Sequence, residues 1–177
     1  MLKGDWLKVI EGLKAYCIFC KTGSENNVKQ QVEKIDSAIK AIVPVRVLWE
    51  KYKGKWETRE RELLPGYVFL YYKGDLPEYT LRALVRNYKL LEYDTGKKEL
   101  WGYDYDYAMW IYSHDGRIEE SKALFEGEIV KVVDGPLAEG IGKIIKLDRH
   151  KRRAWVEFDF AGKTFRVSLS VVDITPY

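Results

Sequence analysis

The chain has 177 residues with 46% hydrophobic and 14% aromatic side chains, which is ample for a buried core and excludes wholesale disorder. Its 30 Lys and Arg residues are almost balanced by 27 Asp and Glu residues, so attraction to an anionic partner must come from a local cluster. Near the N-terminus there is no long apolar run and no small-residue cleavage site. We therefore expect a cytoplasmic protein without a secretory signal or membrane span.

Strand-like and helix-like segments alternate through the first hundred residues. Apolar residues at helical spacing and turn residues such as Lys53-Gly54 and Pro65-Gly66 define these segments. They are a strand at Ala15–Cys20, a helix from Ser24 through Lys40, a hairpin of Val45–Tyr52 and Lys55–Glu62, a strand at Tyr67–Tyr72, a helix opened by Pro77 with Leu81, Leu84 and Val85 as its buried stripe, and a strand near Leu90–Tyr93. The order matches a ferredoxin-like α/β sandwich, with helices on one face of an antiparallel sheet.

The remaining third of the chain is β-rich. Residues 104–112 predict one more short, aromatic helix, and residues 113–122 lack a regular apolar period and predict a linker. From Phe125 to Ile174, five short segments separated by turns predict a small five-stranded β-barrel. We therefore predict an α+β protein with an N-terminal extension at residues 1–13, a first domain at 14–112, a linker at 113–122 and a barrel domain at 123–177.

The sequence offers no constellation for catalysis or metal binding. Cys17 and Cys20 are too few for a zinc site, and as strand residues they point to opposite faces, so we expect two buried thiols. His114 lies in the predicted linker and His150 in a basic turn, and neither has an evident acid or nucleophile partner. We expect a binding protein, with no enzymatic activity, no cofactor and no metal.

The strongest local pattern lies in the C-terminal domain. A β-branched run ends at the turn Asp134-Gly135-Pro136, and a second apolar run begins at Ile141 beside Gly142. Residues 143–153, which follow, contain Asp148 as their single acidic residue among many cations. Because clustered like charges favour an anionic ligand, and arginine can fork onto phosphates or guanine edges, we predict a nucleic-acid site. Its residues are Lys143, Lys146, Arg149, His150, Lys151, Arg152, Arg153 and Arg166.

The order of these segments resembles the NusG family of transcription elongation factors. Lys14-Ala15-Tyr16 with Ser24-Glu25-Asn26 resembles the family's opening strand and helix, and residues 63–69 are similar to its Phe-Pro-Gly-Tyr-Val signature. Residues 127–142 resemble its KOW segment, a strand–loop–strand element. The resemblance implies a ferredoxin-like NGN domain followed by a KOW barrel. It also implies that the protein binds the coiled-coil clamp helix of RNA polymerase. We expect the protein to be a monomer.

An apolar pocket for that polymerase helix is expected around the signature. Tyr67 and Leu64 would flank Pro65 and Gly66, beside Tyr16 of the first strand. The alternative is that Tyr16, Leu64 and Tyr67 are ordinary sheet core. Housekeeping family members carry two aromatics in the KOW loop, where Leu137 and Gly140 stand here. The basic run at residues 148–154 is instead similar to the specialised antiterminators called LoaP, which implies recognition of a hairpin in nascent leader RNA.

Two other functions remain open at this stage. A general elongation factor would bind polymerase with no preference among RNAs, and a ribosome-associated KOW protein would not need the first domain. A second basic turn, with Lys51, Lys53, Lys55, Arg59 and Arg61, is interleaved with glutamates, so we expect cross-strand ion pairs there. We expect the aromatic residues 101–110 to pack against the sheet.

Overall fold

The computed structural model describes residues 11–176. The predicted N-terminal extension, residues 1–13, lies outside the described residues except at its end, where Leu13 already belongs to the first strand. The chain forms two compact units. The helical unit contains residues 11–44 and 64–116, and the β unit contains residues 45–63 and 117–176. The hairpin at residues 45–63 thus belongs to the β unit, while the domain boundaries predicted from the sequence stay a prediction.

The helical unit is built on a four-stranded sheet in the order β2-β5-β1-β6. The described elements are β1 (Leu13–Phe19), α1 (Glu25–Ile35), β2 (Lys40–Ile42), β5 (Tyr67–Lys73), α2 (Glu78–Asn87), β6 (Lys89–Leu90) and α3 (Gly102–Ser113). Apolar residues from β1, β5, α1 and α2, including Ile18, Leu70, Val32 and Leu84, form its core cluster. The unit therefore has the order strand, helix, strand, strand, helix, strand, helix. Its second strand, β2, was not predicted from the sequence, and the predicted hairpin strands lie in the β unit.

The first helix is shorter than the sequence predicts. It ends at Ile35, not Lys40, because Asp36 takes an extended conformation and its carboxylate accepts the N–H of Ala38 at 2.9 Å. The chain then turns and continues as β2, which pairs with β5. Ile39, whose spacing suggested a helical residue, is a core residue of this turn.

Two smaller expectations in the helical unit are wrong. Val85 is exposed, and the second helix instead buries Thr80, whose hydroxyl donates to the Asp36 carboxylate at 3.0 Å. The aromatic helix α3 buries Tyr107 and Trp110, but Trp101 and Tyr103 near its start remain exposed. Packing against the sheet therefore accounts only for the C-terminal half of that helix.

The β unit contains two sheets. A five-stranded sheet has the order β10-β11-β12-β8-β9, and a three-stranded sheet has the order β4-β3-β7. The strands are β3 (Val45–Tyr52), β4 (Lys55–Glu62), β7 (Arg117–Ile118), β8 (Ser121–Glu126), β9 (Ile129–Asp134), β10 (Lys143–Asp148), β11 (Arg153–Phe160) and β12 (Lys163–Asp173). The hairpin bounds agree with the sequence prediction. Five strands follow residue 120, but the first of them, β8, begins at Ser121 and not at the predicted Phe125.

Alternation along β11 fixes the two faces of the five-stranded sheet. Ala154, Val156, Phe158 and Phe160 are buried, whereas Trp155 is exposed. We call the side that carries Trp155 the outer face. None of the helices in the described part of the chain is long and apolar enough to cross a membrane.

Candidate functional site

The turn before β5 is held by a buried carboxylate from the first helix. Glu25, only 2% exposed, accepts the backbone N–H groups of Gly23 and Gly66, each at 2.7 Å. Burial alone would raise the pKa of Glu25, but hydrogen bonds from backbone N–H groups, including those of Gly66 and Gly23, lower it. The position of Gly66 has room for no side chain, because an added Cβ would lie 2.9 Å from the carbonyl oxygen of Cys20.

The predicted polymerase-binding residues do not gather in one pocket. Tyr16 pairs in register with Leu70, whereas Tyr67 pairs with Phe19, so Tyr16 and Tyr67 lie on opposite faces of the sheet. Tyr16 is 7% exposed within the core cluster, and Leu64 is 3% exposed. The structure thus places Tyr16 and Leu64 in the core and leaves Pro65 exposed at the turn.

An aromatic pair marks the face that carries Tyr67. The rings of Phe19 and Tyr67 meet edge to face with their centroids 5.0 Å apart, and both residues are half-buried. The ammonium of Lys89 lies 6.0 Å from the centroid of the Phe19 ring. The geometry therefore replaces the expected contact of Tyr67 with Tyr16 by one with Phe19, which the sequence reasoning missed.

The turn after β9 is closely packed against the start of β8. At Gly135 an added Cβ would lie 2.6 Å from the Cα atom of Ser121, and the Ser121 hydroxyl accepts the N–H of Leu137 at 2.9 Å. The loop continues as a 3-10 helix at Pro136–Glu139 and leaves it at Gly140. Leu137 is only 8% exposed, so this loop position has an apolar side chain turned into the fold.

Several of the predicted nucleic-acid residues have carboxylate neighbours. Arg149 lies 3.4 Å from Asp173, Arg153 lies 3.8 Å from Glu50, and Arg166 donates to Glu157 at 3.1 Å. Exposed pairs such as those of Arg149 and Arg166 contribute little stability and leave the cation accessible to a ligand. Lys143, Lys146 and Lys151 are exposed, and no carboxylate within residues 11–176 lies within ion-pair distance of them.

A bulge brings two of these lysines to the same face. Lys143 pairs with Glu157 and Lys146 with Trp155, because the register shifts between Ile144 and Lys146. In a regular strand, residues three apart would point to opposite faces. Lys143 and Lys146 therefore both lie on the outer face, Lys146 beside Trp155, which is 40% exposed. Arg166 pairs with Glu157 and therefore lies on the same outer face, in a row with these residues.

Arg152 and Arg153 contact the β3–β4 hairpin. The Arg152 guanidinium lies 4.8 Å from the ring centroid of Trp56 and 5.3 Å from that of Trp49. The next side chain, Arg153, approaches Glu50 and has a buried Nε atom without a hydrogen-bond partner. These two arginines are therefore less available to a ligand than the lysines, which differs from the sequence expectation.

The hairpin is also bonded to strand β12. Arg46 donates from Nη1 to the carbonyl oxygen of Ser168 at 2.6 Å and to its hydroxyl at 2.8 Å. The indole N–H of Trp49 donates to Glu120 at 2.6 Å. Burial, followed by the nearby Arg153 and Arg61, lowers the pKa of Arg46. The expected cross-strand ion pairs are confirmed for two arginines, since Arg61 donates to Glu50 at 2.8 and 3.0 Å and Arg59 lies 3.9 Å from Glu50. In the described part of the chain, Lys51, Lys53 and Lys55 form no such pair.

A shallow groove adjoins the basic turn. It has a volume of 390 Å³ and is lined by apolar residues of β8, β9 and β10 together with Lys146, Arg149 and Glu128. The Arg149 guanidinium lies 3.9 Å from the ring centroid of Phe125 in the groove wall. The groove therefore combines an apolar wall with two cations and one carboxylate.

Sequence reasoning missed two residues that organise these sites. Trp155 stands between the outward positions Arg153 and Glu157, so period-two alternation along β11 marks it as an outward aromatic. Glu25 follows the expected N-cap Ser24, but its carboxylate reaches a turn distant in sequence, which no local pattern shows. Within the described part of the chain, no group of three or more His, Cys, Asp or Glu side chains is placed to hold a metal ion.

Three comparisons with known proteins find similar chains. A family model described as "Transcription termination factor nusG" matches residues 14–94. Proteins described as "Transcription termination/antitermination protein NusG" from Helicobacter pylori are 27% identical in strain J99 and 26% identical in strain 26695. Each alignment covers 87% of this chain and 93% of the relative. A structure described as "Domain interaction in Thermotoga maritima NusG" has a similar fold, with a TM-score of 0.51, 18% identity, and coverage of 89% of this chain and 93% of that one.

Proposed function

Because the family model and the curated relatives support membership of the NusG family of transcription factors, we propose that this chain is a specialised antitermination factor of the LoaP type. In this proposal, the helical unit binds the clamp helix of RNA polymerase. The outer face of the five-stranded sheet and the basic turn at residues 149–152 bind a hairpin in the nascent leader RNA. Holding both partners would favour read-through of the operon that carries the leader.

The row of Lys143, Lys146 and Trp155 is the observation that carries the RNA proposal. Lysines supply phosphate contacts that set affinity, while an exposed indole stacks on an unpaired base of a loop or bulge. Lys151 and His150 in the adjoining turn add a cation and a ring that can donate to phosphate. Arg149 and Arg166 remain members of the site, each able to exchange an exposed carboxylate for a phosphate.

Polymerase binding is supported by the surface around the signature turn. An amphipathic helix docks by placing apolar side chains against accessible apolar surface. The half-buried rings of Tyr67 and Phe19, with the exposed Pro65, provide such a surface. Glu25 keeps Gly66 in place and therefore fixes the direction in which Tyr67 leaves the turn. In this proposal Tyr16 and Leu64 act by packing the core beneath, and Gly66 by allowing the tight turn.

The KOW loop favours the specialised factor over a general one. A loop that meets a protein partner through an aromatic side chain needs that side chain at the surface, whereas Leu137 is buried and Gly140 has no side chain. The alternative is that the chain is a general elongation factor, and this alternative predicts equal affinity for all RNAs.

RNA selectivity tests the proposal directly. The wild-type chain is titrated at fixed salt with labelled leader hairpins of its own organism and with scrambled versions of the same length. We expect tighter binding to one leader hairpin, and equal binding to all would support the general factor. Lys146→Ala with Trp155→Ala should abolish the preference, whereas Lys163→Ala, at the far end of β12, should leave it intact.

Polymerase binding is tested with a pair of tyrosines on one strand. Tyr67 and Tyr72 are both half-buried on β5, but they point to opposite faces. Tyr67→Ala should reduce co-elution with RNA polymerase, whereas Tyr72→Ala should not do so once thermal melting shows that both variants are folded. Equal retention of polymerase by both variants would reject the assignment of Tyr67.

A further inference from the structure

Arg152 of the basic turn and Arg153, the first residue of β11, contact the β3–β4 hairpin. Arg152 stacks over Trp49 and Trp56, while Arg153 reaches the carbonyl oxygen of Trp49 at 3.5 Å and the Glu50 carboxylate at 3.8 Å. Trp49 and Glu50 are neighbours in β3, so their side chains point to opposite faces. The end of the hairpin is thereby fixed beside the basic turn.

The register of the hairpin determines which of its lysines lies on the face that Arg152 contacts. Lys51 pairs with Trp56, whereas Lys55 pairs with Tyr52. Cross-strand partners lie on the same face, so Lys51 is on the face over which Arg152 stacks and Lys55 is on the other. Both lysines are exposed.

The two faces of the hairpin differ in the charged side chains around their lysines. On the Lys55 side, Arg61 is bonded to Glu50, and Arg59 lies 3.6 Å from Glu57. On the Lys51 side, the nearby residues are Trp49, Trp56 and Thr58. The carboxylates on this side already have partners, since Glu120 accepts the indole N–H of Trp49 and Glu60 is paired with Arg117. Over the part of the chain that the structure covers, no carboxylate lies within ion-pair distance of Lys51.

We infer that Lys51 belongs to the nucleic-acid surface, as a phosphate contact that extends the site from the five-stranded sheet onto the hairpin. This inference rests on the proposed RNA-binding function and assigns it an additional residue. The ligand chemistry is a phosphate oxygen of the sugar–phosphate backbone of a structured RNA. Trp56 is a positioning residue, because it holds Arg152 beside Lys51 without offering a charge of its own.

The test compares Lys51→Ala with the matched variant Lys55→Ala in the full chain. The probe is one labelled RNA stem–loop, titrated over a range of salt concentrations, with melting curves to show that both variants are folded. We expect Lys51→Ala to weaken binding several-fold and to flatten the salt dependence by about 0.7 to 1 in slope, because one phosphate contact is lost. Lys55→Ala should match wild type in affinity and slope.

Equal effects of the two substitutions would overturn the inference, because they would reflect net charge and not position. An unchanged slope for Lys51→Ala would overturn it as well. The proposed function fails separately, if the wild-type chain binds the stem–loop and a scrambled RNA equally. In that case the comparison of Lys51 with Lys55 still reports whether the hairpin contacts phosphate.

Discussion

The carboxylate of Glu25 accepts the N–H of Gly66 at 2.7 Å, although 41 positions separate the two residues in the sequence. The same carboxylate accepts the N–H of Gly23, so it joins the start of the first helix to the turn before β5. Gly66 in turn accepts the N–H of Cys20 through its carbonyl group at 2.8 Å. One buried acidic side chain therefore controls the geometry of the signature turn.

Replacing this carboxylate should destabilise the protein. In Glu25→Gln, one of the two N–H groups would face an amide NH₂ group, which cannot accept a hydrogen bond. Leaving a buried donor unsatisfied costs about 1 to 3 kcal/mol, so we expect the free energy of unfolding to fall by that amount. Urea denaturation measures the change. Glu33→Gln, at a half-buried position of the same helix, is the control and should stay within about 0.5 kcal/mol of wild type.

Glu25 should also make stability depend on pH. Its pKa in the folded protein lies below the ordinary value of 4.5, so the unfolded chain takes up the proton first as the pH falls. The stabilisation is thus fully present above about pH 4.5 and is lost as the pH falls through the folded pKa. Urea denaturation at decreasing pH should show wild type and Glu25→Gln converging. A constant difference between them would contradict this assignment.

Gly66 should tolerate no side chain. Its φ angle is +85°, and an added Cβ would approach the carbonyl oxygen of Cys20, which is backbone and cannot rotate away. A residue other than glycine in this conformation costs about 1 to 3 kcal/mol. We expect Gly66→Ala to lower the melting temperature clearly. Gly23→Ala serves as the comparison. Its φ angle of +95° brings a similar backbone strain, but an added Cβ at Gly23 meets no atom within 4 Å, so Gly66→Ala should lose more stability. Equal melting temperatures of the Gly66→Ala and Gly23→Ala variants would show that the turn at Gly66 can relax around a side chain.

Arg46 should stabilise the attachment of the hairpin to strand β12. Its guanidinium makes charge-assisted hydrogen bonds to the carbonyl and hydroxyl oxygens of Ser168, which is only 2% exposed. Arg46→Met keeps most of the apolar stem but removes the guanidinium and its hydrogen bonds, and we expect the free energy of unfolding to fall by about 1.5 to 3 kcal/mol. Hydrogen exchange should accelerate at the backbone amides of β3. Arg86→Met, at an exposed position of α2, should leave that exchange unchanged.

Local sequence patterns alone were sufficient to predict most of the helices and strands. Turn residues such as Lys53-Gly54 gave the hairpin its bounds, and the composition of residues 143–153 marked a basic surface. Helix α1 was overestimated because Ile39 has helical spacing, while the competing turn depends on the side chain of Asp36.

The sequence by itself determined which residue types are present and, through periodicity, which segments become strands or helices. Only the tertiary structure decided which side chains meet. A bulge turns Lys143 and Lys146 to one face, strand register separates Tyr16 from Tyr67, and the hairpin covers Arg153 while leaving Lys151 exposed. The physical reason is that the face on which a side chain lies depends on strand register and on partners distant in the chain. Secondary-structure propensity and residue spacing reflect only interactions between near neighbours.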